Sequence, residues 1–409
     1  MRFRPCLLAI LALTIGISVA APSDARVPSA VGVSTVQVEP GRERARTNQR
    51  VFDKVWGEVR RAYYDPTLHG VDWDAARATY RPQALAAVND RELYDVLNRM
   101  LDLLDDAHAS ASPPAVARRQ DGLRTRRAVV GMTLTRGDDG IYEVERVRAG
   151  SPAEAAGIQL GWRIRIDDGG WTPEQDIVEG QSITLSVIDD LGTDRTLTLV
   201  PTVMEPTPAF VADRSRSGVV VLRIEGFEAG LGRWMGEQLA DLPPETDVVV
   251  DLRGNSGGLL IEAEAVLSCF LPGGQTWAYR ISRGGRRAIL RTETPCGTLG
   301  APVANDVAIL VGPTSRSAAE LTPAALQEAG RAVVIGERTA GSVLISQDTA
   351  LPDGGRLTLS RSDFVTGAGV RLEKTGVEPD LIVPTTVKDR LAGRDPALDR
   401  AVAVLDGDL

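Results

Sequence analysis

The spacing of the hydrophobic residues changes twice along the chain. Between residues 49 and 115 apolar side chains recur every three or four positions, as at Phe52, Val55 and Val59, which is the spacing of a helix face. This pattern predicts a bundle of helices. The preceding residues 22–48 are rich in Pro, Ser, Val, Arg and Gly without a sustained period, and we expect them to form a flexible leader.

A second pattern covers residues 127–205, where short alternating stretches predict strands. Between them lies one helix signal. Ser151 is a natural N-cap, Pro152 suits the first helical turn, and Gly157 suits the end of the helix. The sequence therefore predicts a small β domain that contains one short helix.

From residue 215 to residue 390, strongly apolar stretches of strand length alternate with helical stretches. Residues 219–224 and 248–252 are two of the predicted buried strands. This alternation predicts an α/β core. A closing helix is expected within residues 391–409, so the fold class predicted for the whole chain is multidomain α+β.

The N-terminal residues have the pattern of an export signal. Arg2 and Arg4 are followed by an apolar stretch over residues 7–19 that is shorter than a membrane span, and Ala20 and Ala21 provide small residues for cleavage. We interpret 1–21 as a cleaved signal peptide, which predicts a periplasmic or secreted protein with no stable membrane span. An uncleaved anchor is the alternative.

Composition and charge argue against several classes of function. The 409 residues suggest two or three domains, and the formal net charge of −9 comes without any basic block, which argues against a nucleic-acid partner. The sequence has no metal-binding, phosphate-binding or dinucleotide-binding motif, so we expect no metal and no cofactor. Beyond the signal, Cys269 and Cys296 either form a disulfide, as an oxidising compartment favours, or remain two buried thiols.

Two stretches have the residue types of a catalytic centre. Residues 251–258 read Asp-Leu-Arg-Gly-Asn-Ser-Gly-Gly after a buried strand, where glycines permit a sharp turn that exposes N–H groups. Residues 314–320 place Ser317 between a strand and a helix, where a nucleophile can lie beside helix N–H groups. Either stretch by itself is common, and Ser317 could be an ordinary N-cap.

Together and in this order, the stretches resemble the tail-specific, or C-terminal processing, serine peptidases. The resemblance extends over nearly the whole mature chain. Its motifs are Tyr64-Asp65-Pro66, Gly70-Val71-Asp72-Trp73, the Gly-rich loop, Ser317-Ala318-Ala319-Glu320, Gly336-Glu337-Arg338-Thr339-Ala340-Gly341 and Gly376-Val377-Glu378-Pro379-Asp380.

The resemblance implies an N-terminal helical bundle, a PDZ-like domain and a crotonase/Clp protease-like peptidase core. It implies that Ser317 is the nucleophile, and that the N–H groups of Gly258 and Ala318 form the oxyanion hole. It also implies that Gly131, Met132, Thr133 and Leu134 form the loop and strand of a PDZ groove, which binds unfolded protein or peptide C-termini by strand addition. A plain β domain is the alternative for that region.

The expected base differs from the best-known branch of this family. That branch uses a lysine, but here the aligned stretch ends in Ser342, so the resemblance points instead to the tricorn-type branch. There a histidine matching His108 and a glutamate matching Glu373 complete the catalytic set. The serine that precedes the histidine in that branch is Ala107 here, so Asp105 or Asp106 remains an alternative partner for His108.

Other readings of the same residues stay open at this point. Lys374 could replace the missing lysine if it points inward, and His69 is interpreted as a solvated turn residue. A ligand-binding protein without activity, or a hydrolase of other esters, would keep the same fold. The sequence does not predict an oligomeric state.

Overall fold

The computed structural model describes residues 41–122, 125–136, 141–165, 176–386, 388–389 and 392–407. Its α-helices are α1 (Arg42–Ala62), α2 (Trp73–Ala86), α3 (Asp90–Leu101), α4 (Pro114–Asp121), α5 (Pro152–Ala155), α6 (Leu231–Leu239), α7 (Leu260–Ser268), α8 (Ala318–Glu328) and α9 (Pro396–Leu405). Short 3-10 turns follow α1 and α3, at Leu68–Gly70 and Asp102–Leu104.

Its strands are β1 (Ser110–Ser112), β2 (Arg127–Val129), β3 (Met132–Arg136), β4 (Tyr142–Val147), β5 (Arg163–Arg165), β6 (Ile183–Ile188), β7 (Asp194–Leu199), β8 (Thr202–Met204), β9 (Phe210–Asp213), β10 (Val219–Ile224), β11 (Asp247–Asp251), β12 (Thr276–Ser282), β13 (Arg286–Arg291), β14 (Val307–Val311), β15 (Val333–Gly336), β16 (Ile345–Ala350), β17 (Arg356–Thr366) and β18 (Leu381–Ile382).

The first three helices bury the apolar stripe that the sequence predicted. Phe52, Val55 and Val59 of α1 are fully buried, and they pack in one cluster with Leu357 and Leu359 of β17. The helices therefore rest on a sheet that is built much later in the chain. Burial of such side chains contributes roughly 1.5–3 kcal/mol each to stability.

The predicted leader is wrong at its C-terminal end. Residues 1–40, which include the predicted signal peptide, lie outside the described residues, but α1 already begins at Arg42. Arg, Glu, Ala and Gln favour helix even without an apolar stripe. Asn48 is fully buried, and its side-chain amide donates to the carbonyls of Ala84 and Ala87, which ties this first part of α1 to α2.

A six-stranded sheet forms the centre of the α/β core, in the order β18-β15-β14-β11-β10-β9. All its pairs are parallel except β9 with β10. Along β10, Val220 and Leu222 face the cluster that includes α6, α7 and α8, whereas Val219 and Val221 face α9. Both faces are covered, which explains the continuous apolar stretches in the sequence.

A second, antiparallel sheet was not predicted. It has the order β1-β17-β12-β13, and β16 also pairs with β17. The alternation typical of a strand is nevertheless present in β17, where Leu357, Leu359 and Phe364 are buried among less buried neighbours. This sheet joins the helical region to the α/β core, because β1 directly follows the helices and β17 lies beside it.

The third sheet corresponds to the predicted small β domain and has the order β3-β4-β5-β6-β7. Residues 129–134 are interrupted at Gly131, so that β2 pairs with β8 while β3 pairs with β4. Gly131 has a φ of 82°, and a side chain there would meet the Ser151 side chain at 2.1 Å. The close approach of α5 therefore requires glycine at this break.

Two cross-links hold the core together. Cys269 and Cys296 are both buried and are joined in a disulfide, which was one of the two alternatives. Arg253 forms ion pairs with Asp251 and Asp395, the N-cap of α9. In the part of the chain that the structure describes, no helix has the length and apolarity needed to cross a membrane.

Candidate active site

Ser317 lies at the turn between β14 and α8, with a backbone that is rarely adopted by residues other than glycine. Its φ of 54° and ψ of −119° place it in a strained region, which is tolerated only where the surroundings fix it. Its N–H donates to the Ser342 carbonyl at 2.8 Å and to Glu320 Oε2 at 3.1 Å. The turn therefore presents a partly exposed hydroxyl on a backbone that is held in place.

Glu320 is the centre of that support, and its role was missed from the sequence. Its carboxylate is fully buried and accepts hydrogen bonds from the N–H groups of Ser317, Gly341 and Ser342 and from the Thr339 hydroxyl. Burial raises the pKa of Glu320, while these four donors lower it. The contact with the Ser317 N–H is a local one that the Ser-Ala-Ala-Glu stretch favours, but Gly341 and Ser342 are brought to Glu320 by folding.

The Gly-rich loop lies against the serine turn. A side chain at Gly257 would approach Ser317 Cβ at 2.8 Å, and the N–H of Arg316 donates to the Asn255 carbonyl at 3.1 Å. Asn255 is fully buried, and its side chain donates to the Ile224 carbonyl and accepts from Gly257 N–H. The loop is thus fixed to both β10 and the nucleophile turn.

The two predicted oxyanion donors are close to this junction. Gly258 has a φ of 144° and packs so tightly on Phe227 that a side chain would meet its carbonyl oxygen at 2.4 Å. Ala318 is the first residue of α8. Among the hydrogen bonds of the described residues, neither the Gly258 N–H nor the Ala318 N–H has an acceptor. Both N–H groups therefore lack an acceptor in the described part of the protein.

His108 follows the 3-10 turn Asp102–Leu104 and is largely buried, with 15% of its side chain exposed. Burial lowers its pKa, the carboxylate of Asp106 opposes this, and the charge of Arg316 lowers it further. Arg316 immediately precedes Ser317, so the charge that lowers this pKa belongs to the nucleophile turn. No hydrogen bond joins the His108 ring to Ser317 among the described residues, and Nδ1 has no partner.

Glu373 is buried but does not hydrogen-bond to His108. Its Oε2 accepts from the N–H of Val343 at 2.9 Å. Burial raises its pKa and the Val343 N–H lowers it, while the negative charge of Asp106 raises it again. The carboxylate that affects the pKa of Glu373 is therefore that of Asp106, whose Oδ1 accepts a hydrogen bond from the His108 N–H.

The remaining candidates are bound elsewhere. Lys374 forms an ion pair with Asp105 at 2.6 Å, at the surface. His69 is an exposed turn residue that also forms a bridge, because its Nε2 contacts the Tyr64 hydroxyl at 2.9 Å and its Nδ1 contacts the Leu104 carbonyl at 2.8 Å. It thereby holds the turn after α1 on the end of the third helix.

Residues Gly131–Leu134, predicted to form a peptide groove, lie in and just before β3. In the described part of the sheet, β3 pairs only with β4 and is therefore an edge strand. The sheet contacts the Gly-rich loop through Arg146 of β4, which pairs with Glu225 at 3.0 Å and lies over Gly254.

A cleft of about 340 Å³ is lined by residues that include Tyr64, His69, Asp363 and Arg371. None of Ser317, His108 and Gly258 lines it. Among the described residues, no group of three or more His, Cys, Asp or Glu side chains could hold a metal ion.

Comparison with known proteins gives two family matches, peptidase family S41 over residues 218–383 and the tricorn protease C1 domain over residues 45–102. The chain is 28% identical over 418 residues to tricorn protease homolog 1 of Streptomyces coelicolor, covering 93% of this chain but 37% of that protein. It is 27% identical over 353 residues to a carboxyl-terminal-processing protease of Picosynechococcus, covering 82% and 83% of the two chains.

Among solved structures, the photosystem II D1 C-terminal processing protease superimposes with a TM-score of 0.59 at 23% identity, covering 86% of this chain and 98% of that one. At this identity the superposition establishes a common fold. The family matches and the carboxyl-terminal-processing protease relative show that the chain contains a peptidase family S41 domain and is a serine-type peptidase.

Proposed function

We propose that this protein is an exported endopeptidase that cleaves unfolded proteins or peptides near their C-termini through an acyl-enzyme on Ser317. The observation that carries the proposal is the strained Ser317 backbone at the start of α8, beside the unoccupied N–H groups of Gly258 and Ala318. Strain of this kind is retained in proteins where function needs it.

The arrangement supplies what acyl transfer requires. The Ser317 hydroxyl attacks a peptide carbonyl, and the carbonyl oxygen receives two hydrogen bonds from Gly258 and Ala318 as it becomes negative. The amine leaves, and water then releases the acyl group by the same steps in reverse. Glycine at 258 lets the substrate carbonyl approach the backbone closely.

His108 is the base in this proposal. It accepts the Ser317 proton and returns it to the leaving amine. Of the other candidate bases, Lys54 pairs with Glu58, Lys374 pairs with Asp105, His69 bridges Tyr64 and Leu104, and Lys388 is exposed. Because burial lowers the pKa of His108, the imidazole is neutral at pH 7 and able to accept a proton.

The five-stranded sheet is proposed as a PDZ domain. Its edge strand β3 has a free side for an added peptide strand, and the Gly131 turn precedes it as a carboxylate-binding loop would. Residues Gly131, Met132, Thr133 and Leu134 would form this groove. A peptide with a free C-terminal carboxylate should then be cleaved faster than the same peptide with a C-terminal amide.

Export is proposed from the signal-like residues 1–21 and is supported by the Cys269–Cys296 disulfide, which persists in oxidising compartments. Cell fractionation followed by N-terminal sequencing checks this. A mature N-terminus shortly after Ala21 in the periplasmic or medium fraction is expected, and an intact N-terminus in the cytoplasm would contradict it.

The peptidase proposal is checked by casein digestion and by labelling with a fluorophosphonate, followed by mapping of the labelled peptide. The wild type should digest casein and carry the label on Ser317. Ser317→Ala should do neither, whereas Ser215→Ala, which alters an exposed serine, should do both. Labelling without casein cleavage, but with hydrolysis of simple esters, would favour an esterase. Neither labelling nor cleavage would favour a binding protein.

A further inference from the structure

Three buried polar atoms without hydrogen-bond partners occur together on the base side of the site. They are the Tyr63 hydroxyl, Asp106 Oδ2 and His108 Nδ1. Tyr63 and the Asp106 side chain are fully buried. An unpaired buried polar group costs about 1–3 kcal/mol, so three in one place indicate that they serve a purpose other than stability.

The backbone fixes Asp106 next to the imidazole. The N–H of His108 donates to Asp106 Oδ1 at 2.8 Å, and the same oxygen is 4.0 Å from His108 Nδ1. Asp105, whose φ of 49° turns the chain at this point, has a side chain that is 86% exposed and points to Lys374. Of the two adjacent carboxylates, only Asp106 therefore faces the histidine.

Tyr63 approaches the same carboxylate from the end of α1. Burial raises the pKa of Tyr63, and the negative charge of Asp106 raises it further, so the phenol stays protonated and can only donate to a carboxylate. Its ring is held by Tyr64 and His69, with ring centroids 4.9 and 5.8 Å away. The phenol is thus held by the neighbouring rings, and the carboxylate that acts on it is that of Asp106.

We propose that Asp106, rather than Glu373, is the carboxylate that orients His108, and that the Tyr63 hydroxyl holds Asp106 in place. This inference rests on the proposed function. A small closure of the 4.0 Å separation pairs Nδ1–H with Asp106 Oδ1, as is common for catalytic hydrogen bonds that tighten with substrate. Nε2 then faces Ser317, accepts its proton, and passes that proton to the leaving amine while Asp106 remains ionised.

This arrangement accounts for the absence of a serine before the histidine. With Ala107 at that position, no side chain links Glu373 to the imidazole, and Asp106 occupies the place beside Nδ1. Glu373 becomes a support residue that holds Val343. In this scheme Asp106 and Tyr63 are positioning residues, because neither touches the substrate.

The sharpest experiment compares Asp106→Asn with Asp105→Asn, since the two substitutions remove the same charge from adjacent positions. Asparagine tolerates the positive φ of Asp105. We expect kcat to fall by about 10³–10⁴ for Asp106→Asn, as in other sites where the orienting carboxylate is replaced. Asp105→Asn should stay close to the wild type, Tyr63→Phe should lose about tenfold, as for one hydrogen bond to a charged group, and Glu373→Gln should lose less than Asp106→Asn.

A pH profile separates orientation from structural damage. The groups that act on the imidazole or on its carboxylate are Asp106, Arg316, Tyr63 and Glu373. Removing the negative charge of Asp106 lowers the pKa of His108, so the acid limb of kcat/KM should move to lower pH in Asp106→Asn. Glu373→Gln should leave that limb nearly unchanged.

The tautomer of His108 can be read directly, because the chain has only two histidines. In ¹⁵N-labelled wild type, with His69→Gln used for assignment, His108 should carry its proton on Nδ1, and the signal should change in Asp106→Asn. A proton on Nε2 in the wild type would overturn the inference even if Asp106→Asn did not fold. So would full activity in Asp106→Asn together with an inactive Glu373→Gln. Activity in His108→Ala would instead overturn the proposed function itself.

Discussion

The nucleophile side and the base side of the site are built in opposite ways. Around Ser317, the buried carboxylate of Glu320 accepts four hydrogen bonds, and the serine N–H itself has two acceptors. Around His108, Tyr63 and Asp106, three buried polar atoms have no partner. The buried carboxylate beside Ser317 is therefore fully hydrogen-bonded, whereas buried polar atoms around His108 are not.

This difference matches the need to have the oxyanion donors in position before the reaction begins. An oxyanion hole works only if its donors are already in position, since reorganising them during the reaction would cost the stabilisation that they provide. A general base must instead move a proton twice, and its hydrogen bonds often tighten only when substrate binds. A turn that holds Ser317 rigidly, beside a histidine that is not fully hydrogen-bonded, meets both requirements.

The largest effect should come from removing the base. His108→Ala should lower kcat by about 10⁴ or more, because the variant has no base to accept the Ser317 proton. The other histidine is a suitable control. His69→Gln should lower stability through loss of its bridge to Leu104 while leaving most of the activity. A His108→Ala variant within tenfold of the wild type would contradict the assignment of the base.

The oxyanion donor is expected to come next. Gly258→Ala places a methyl group 2.4 Å from the Phe227 carbonyl oxygen, so the loop must shift and the N–H must leave its position. The loss in kcat should be about 10²–10³, as for removal of one oxyanion donor. Gly274→Ala is the control, because Gly274 also has a positive φ, of 80°, but has no atom within 4 Å of the added methyl position. Equal kcat values for the two variants would show that Gly258 is not part of the hole.

Replacing Glu320 tests whether the hydrogen bonds that it accepts stabilise the turn that carries Ser317. Glu320→Ala leaves the N–H groups of Ser317, Gly341 and Ser342 without this acceptor. We expect the free energy of unfolding to fall by about 3 kcal/mol or more, from about 1–3 kcal/mol for each lost partner, together with a loss of activity. Glu328→Ala, on the same helix with an exposed contact to Ala368, should change urea unfolding little. Similar midpoints for both variants would contradict the role of Glu320.

The smallest expected effect is on pH dependence. Because burial lowers the pKa of His108, the imidazole stays neutral to lower pH than an exposed histidine does. The acid limb of kcat/KM for a peptide without titrating groups should therefore have its midpoint below about 6.5, the ordinary histidine value. A midpoint well above that value would mean that, already in the free enzyme, the negative charge of Asp106 raises the pKa of His108 by more than burial lowers it.

Much of the fold could be predicted from local patterns. The apolar stripes of the first helices and the buried strands β10, β11 and β14 were visible, because burial on one or both faces leaves a regular pattern in the sequence. The antiparallel sheet was missed. One of its pairs, β1 with β17, joins residues more than 240 positions apart, and no local pattern encodes that pairing.

The sequence alone limits the candidates for the nucleophile, the base and the oxyanion hole. They are one serine in a Ser-Ala-Ala-Glu stretch, two histidines, and a loop of glycines after a buried strand. Tertiary structure decided how they are supported. Only folding brings Gly341 and Ser342 to Glu320, Lys374 to Asp105, and Tyr63 to Asp106. Residue type limits which chemistry is possible, but hydrogen bonding and burial depend on distances of a few ångströms between segments that are remote in sequence, and those distances are set by packing.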